Sequence, residues 1–244
     1  MSIIDSAMPI SEVEQGKLVV LYGRSGSGKT WLGASFPKPM LYLKIGDDGV
    51  NTIKQVDGIY VKELKKVGEL KLALKECMQD TKFASVFVDT FSLLVNEWKN
   101  ENVLEKNKRM TQQAWGDLAT DTEECIRLAH KVSLDKWVIL SCHEVVDTID
   151  GMEDELLPDV RCSVSKGVRT YLEGMANFGL HTVKIQKEVD NPKTGETEVK
   201  VKFAIDVGPN PFYWTKLQID PSVKVPKRII NPTYDKLMKV VSPE

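Results

Sequence analysis

Apolar residues recur in short, near-continuous runs separated by polar stretches of helical spacing or by turn formers. The runs at 17–22, 40–45, 85–88 and 137–141 predict strands covered on both faces. A weaker run predicts a short strand over 58–64. Between them, Leu70, Ala73, Leu74 and Cys77 repeat at helical spacing and predict an amphipathic helix over 67–79. Residues 91–107 and 111–133 carry two further helical patterns, joined by a polar Lys-Asn-Lys-Arg segment read as a loop. Trp31 to Phe36 predict a short helix stopped by Pro37 and Pro39. Strands alternating with helices are the signature of an α/β fold with a mostly parallel central sheet flanked by helices.

The pattern changes after residue 144. Residues 145–164 are acidic and broken by Gly151 and Pro158, and they read as a long loop. A short helix is predicted over 165–175. Runs at 178–189 and 198–207 flank Asp-Asn-Pro-Lys-Thr-Gly-Glu and predict a β-hairpin near 180–206, a C-terminal elaboration of the sheet. Five prolines between 209 and 232 make the tail irregular, with a last helical turn or two over 234–241. The chain thus divides into an N-terminal arm (1–16), a core (17–208) and a proline-rich tail (209–244) that packs on the core or on a neighbour.

Composition narrows the partners. A net charge of −2 and a pI near 6.0 argue against coating duplex nucleic acid through overall charge and leave room for a local basic groove. Cys77, Cys125, Cys142 and Cys162 are widely spaced, which suggests neither zinc site nor disulfide framework and fits reduced thiols in a cytoplasm. The acidic start has no basic n-region followed by an apolar stretch, and no apolar run nears ~18 residues. A soluble, cytoplasmic protein with no membrane partner is expected.

The chemistry starts where the first strand ends. Gly23-Arg24-Ser25-Gly26-Ser27-Gly28-Lys29-Thr30 is Gly-x-x-x-x-Gly-Lys-Thr, a P-loop between strand and helix. Its backbone N–H groups would cradle a triphosphate, Lys29 would meet the β- and γ-phosphates, Thr30 would hold Mg²⁺, and Trp31 follows at the same helix start. Asp89 ends a strand about 60 residues after Lys29, the Walker B position, where a carboxylate orients magnesium's water shell. The strand 40–45 and a helix between these two leave room for a strand inserted between the P-loop and Walker B strands. Asp47 and Asp48 follow the strand 40–45 and can position water or simply form a turn, with Asp47 the preferred candidate. His143 ends the strand 137–141 and can sense the γ-phosphate or be a satisfied strand-end histidine. His130 and His181 read as structural or surface residues. Arg161, Lys166, Arg169, Lys216, Lys227 and Arg228 are interleaved with Tyr171, Phe212, Tyr213 and Trp214, a mixture suited to single-stranded nucleic acid or to core packing.

On Gly23–Thr30, Val86–Asp89 and Val138–His143 the chain resembles RecA-like ATPases. It more closely resembles small phage-encoded AAA-domain nucleotide-binding proteins, the studied members of which act as single-strand annealing proteins. The Asp47-Asp48-Gly49 turn, the Ile-Leu-Ser-Cys-His run and the segment from Thr215-Lys216 to Asn231-Pro232-x-Tyr234 are similar to that family's acidic turn, sensor strand and C-terminal tail. The resemblance implies a RecA-like P-loop NTPase that uses ATP and Mg²⁺, with Lys29, Asp47, Asp89 and His143 at the reaction centre. It further implies head-to-tail homo-oligomers as a ring or filament, with Lys216 as the basic group acting in trans. Single-stranded DNA would be the partner, alone or with a single-strand binding protein, and annealing or strand exchange in phage recombination the task. Asp in place of the common Glu, and Leu217 where Arg is usual, are departures. Two other readings fit a P-loop: an ATP-switched loader or adaptor acting through a protein partner, and a nucleotide or small-molecule kinase. The scattered arginines do not suit a kinase lid.

Overall fold

The computed structural model describes residues 7–9, 15–46, 49–104, 109–150, 156–190 and 197–242. Its six parallel strands are β1 (Leu18–Gly23), β2 (Met40–Ile45), β3 (Ile59–Leu64), β4 (Ser85–Asp89), β5 (Trp137–Asp150) and β7 (Phe178–Asp190), in the spatial order β7-β1-β5-β4-β2-β3. The strand inserted between β1 and β4 is therefore β5, and β2 lies beyond β4. Antiparallel strands extend the other edge: β8 (Thr197–Asp206) pairs β7, and β10 (Arg228–Ile230) pairs β8. The hairpin is thus continuous with the sheet through β7, which pairs directly with the P-loop strand. Two-residue β9 (Lys216–Leu217) pairs the start of β7.

Strand periodicity divides the apolar residues between two faces. On β1, Leu18, Val20 and Tyr22 join one core with α2 (Val67–Cys77), α4 (Gln112–Val132) and α5 (Lys166–Met175). Val19 and Leu21 join the other with α1 (Lys29–Gly33) and α6 (Tyr234–Val241). Side chains on both faces are fully buried, so each large one contributes about 1.5–3 kcal/mol of transfer free energy. The stretch after the 3-10 turn Phe91–Leu93 is one irregular helical run, α3 (Leu94–Lys99) followed by a π-turn at Asn100–Leu104. The segment after Val207 returns to the sheet: Trp214 covers Gly179, and the Tyr22 hydroxyl donates to the Trp214 carbonyl at 2.5 Å.

One expectation is overturned. The acidic stretch 145–164 is mostly strand: β5 runs on to Asp150 and pairs antiparallel with β6 (Leu156–Cys162), Glu144 opposite Cys162. Two of its acids are paired with guanidinium groups, one from α5 and one from β6 itself. Arg169 binds Asp147 at 2.6 Å and Arg161 binds Asp159 at 2.6 Å. Pro158 is tolerated because β6 extends only one strand beyond β5. The predicted helix to Phe36 is also shorter, ending at Gly33 before a tight turn into Pro37.

Candidate nucleotide site

Apolar β1 delivers the P-loop to the carboxyl edge of the sheet, where strand order reverses around β1 and a crevice opens. Gly26 (φ 72°) and Gly28 (φ 92°) adopt left-handed backbone that side chains with a Cβ rarely reach, which gives the loop its curl. The Ser27 hydroxyl lies 2.6 Å from that of Thr182, which itself donates to the Tyr22 carbonyl at 3.1 Å. The loop is therefore pinned to β7 from beneath.

An open cleft of about 520 Å³ lies along the loop, lined among others by Ser25, Gly26, Gly28, Lys29, Thr30, Trp31, Asp89, Thr90 and His143. Asp89 is its buried hub. Its Oδ2 accepts from Thr30 Oγ1 at 2.8 Å and from the Tyr42 hydroxyl at 2.7 Å; its Oδ1 accepts from Thr90 at 3.0 Å and from Ser141. Lys29 donates to the carbonyls of Gly23 and Arg24, both at 2.8 Å. Burial lowers the Lys29 pKa, and the Asp89 carboxylate opposes that shift. His143 receives a different balance: burial and then the Lys29 charge lower its pKa, and Asp89 pulls it back up. Its backbone N–H is held by Ser92 Oγ at 2.9 Å, which fixes the end of the β5 core strand.

The donors fit magnesium. Thr30 and Asp89 offer hard oxygens at one point, and no cluster of three ligating side chains occurs among the described residues. A cation there would keep phosphate oxygens and water as its other ligands, as Mg²⁺ prefers.

Sequence reasoning named Gly23 to Trp31, Asp89 and His143, and the fold brings these together at one edge. Asp47 and its neighbour Asp48 lie outside the described residues. The adjoining Gly49 lines the cleft, so close to Thr30 that an added Cβ would stand 2.6 Å from its Oγ1. Lys216 is placed elsewhere, on β9, where its ammonium donates to the carbonyls of Glu173 at 3.0 Å and Gly174 at 2.9 Å near the end of α5. Missed were Tyr42, Thr90 and Ser141. The available signal was a hydroxyl inside an otherwise apolar run at Tyr42 and at Ser141.

A second polar row crosses the sheet on the other side of the loop. Arg24 Nε donates to Glu144 at 2.9 Å, and Glu144 lies 3.0 Å from His181 Nε2. His181 Nδ1 stands 3.4 Å from Asp206, and Arg228 binds Asp206 at 2.5 Å. His181 is thus an interior residue of this row.

A family model described as an AAA domain matches residues 15–203, which span the P-loop and all six parallel strands. No curated protein matches the chain.

Proposed function

The chain belongs to the AAA domain family, and on that premise we propose that it is a magnesium-dependent ATPase of RecA-like type. The observation that carries the reading is the Thr30–Asp89 contact at 2.8 Å, which sets the P-loop hydroxyl against the Walker B carboxylate across an inserted strand. In this reading loop N–H groups and Lys29 hold the phosphates. Thr30 and Asp89 hold the cation, which neutralises charge on the β- and γ-oxygens when bound. Asp47 orients the attacking water, and His143 hydrogen-bonds near the γ-phosphate and senses it.

The finer role, drawn from the resemblance to phage-encoded annealing proteins, is ATP-dependent binding and annealing of single-stranded DNA by a head-to-tail oligomer in which Lys216 completes a neighbouring site. A second reading, an ATP-switched adaptor acting on a protein partner, is favoured by one specific feature. Four of the six basic residues that suggested a DNA groove are engaged internally: Arg161 with Asp159, Arg169 with Asp147, Arg228 with Asp206, and Lys216 with two carbonyls.

Phosphate release, followed with and without single-stranded DNA at low salt and again at ~200 mM, separates the two because phosphate contacts weaken with salt. Stimulation at low salt that fades at high salt and vanishes in Lys29→Ala is the outcome expected of the DNA role. Unstimulated turnover with ATP still bound assigns the protein to the adaptor role. For Lys29→Ala we expect ATP affinity to fall about a hundredfold or more with the fold retained, since a charged hydrogen-bond donor to the phosphates is lost.

A further inference from the structure

The cleft is lined by more than phosphate-holding groups. Phe203, on β8, is 38% exposed and lines it too, with its ring against Gly28: a Cβ added there would stand 3.1 Å from the ring. Trp31 is 55% exposed. It follows Gly28 by three residues and lines the same cleft. Neither ring belongs to either core. Two aromatic side chains from distant parts of the chain are therefore held open at one margin of the phosphate cradle, although rings of this size are ordinarily buried.

Open aromatic faces beside a phosphate cradle have the chemistry to take a flat heterocycle. Trp31 and Phe203 line the same cleft as Lys29 and Thr30, so a nucleotide with its β- and γ-phosphates at Lys29 has these rings within the cleft that must also hold its base. We propose that the base of the bound nucleotide stacks on Trp31 and Phe203, an inference that rests on the nucleotide-binding reading above. Stacking contributes through the π-face and needs no edge hydrogen bonds, so the two rings supply affinity while the P-loop supplies position. Phe203 also explains the residue at position 28: any side chain there would displace the ring as well as strain the loop.

The test is calorimetric titration of the full chain at fixed magnesium, with ATP and separately with inorganic tripolyphosphate, which has no base. Phe203→Ala and Trp31→Ala are each expected to weaken ATP about tenfold and leave tripolyphosphate affinity unchanged. Phe203→Tyr and Trp31→Phe are expected to retain ATP affinity within about twofold. Equal losses for both ligands, or no loss of ATP affinity in either alanine variant, would overturn the stacking role while leaving the P-loop reading intact. A parent chain that bound neither ligand would overturn both. Because the two rings sit on different elements and outside the cores, a folding defect in one alanine variant leaves the other to decide.

Discussion

Asp89 and Asp206 are buried to nearly the same depth, 2% and 3% exposed, at the same edge of one sheet, yet opposite chemistry holds them. Among the described residues, Asp89 accepts from four hydroxyls, those of Thr30, Tyr42, Thr90 and Ser141. Asp206 is held by the Arg228 guanidinium at 2.5 Å, with the His181 ring at 3.4 Å, and Glu144 is held by Arg24 and His181 in the same row. Hydroxyls orient a carboxylate without cancelling its charge, and each can rotate to accept where it now donates. A guanidinium cancels the charge and cannot reverse its role. The first arrangement keeps a negative charge ready for a cation beside the phosphates. The second ties four strands and the P-loop together.

The difference is sharpest when each carboxylate is made neutral. Asp89→Asn places an amide among rotatable hydroxyls, so stability is expected to change by about 1 kcal/mol or less. Phosphate release is expected to fall about a hundredfold or more, because the cation's charge stabilisation is worth several kcal/mol. Thermal melts and turnover on one preparation check both. Undiminished turnover would remove Asp89 from the cation site, and a melt lowered as far as that of an Asp206 variant would erase the contrast.

Asp206→Ala is expected to cost about 2–3 kcal/mol, since it strands the partly exposed Arg228 and the buried His181 beside it. Acid should reproduce part of that loss. Burial raises the Asp206 pKa, but hydrogen bonding to His181 and Arg228 and the Arg228 charge outweigh it, leaving the folded-state pKa below the ordinary 3.8. A carboxyl depressed on folding contributes stability that is complete above its unfolded pKa and is lost as pH falls through the folded one. Melting temperature should therefore drop below about pH 4 in the parent, and the part of that drop due to this group should be missing in Asp206→Ala.

The two sites also differ in how much of them the sequence makes legible. Gly26, Gly28, Lys29, Thr30 and the strand before them are read locally, because left-handed turns select glycine and a both-face-covered strand selects apolar runs. Asp89 is read from its strand end. The charged row is invisible along the chain, since Arg24 and Glu144 are 120 residues apart and His181 and Glu144 are 37 apart. The acidic stretch after Glu144 misled for the same reason. Its composition fits a loop until Arg169 is brought alongside Asp147 and the two halves pair as β5 and β6, and only the fold supplies these. Phe203 was hidden by context: in a hairpin it reads as one more alternating apolar residue, and its exposure follows from β8 passing the P-loop.

The smallest effect gives the closest view of the hydroxyl-held site. Burial and the Lys29 charge push His143 below its ordinary 6.5, while Asp89 pulls it up, so this imidazole registers both charges of the cleft with opposite sign. Followed by NMR titration, the His143 pKa should rise in Lys29→Ala, fall further in Asp89→Asn and stay put in Asp206→Ala, which alters only the far side of the loop. No shift in either of the first two variants would mean that burial alone sets the value and that neither charge is felt. If the opposed shifts occur, a bound triphosphate must itself act on His143 by bringing negative charge to it. Its protonation would then rise on nucleotide binding and relax on phosphate loss, which converts the state of the γ-phosphate into a charge at the end of the β5 core strand, next to Glu144 and the row that ties the sheet together.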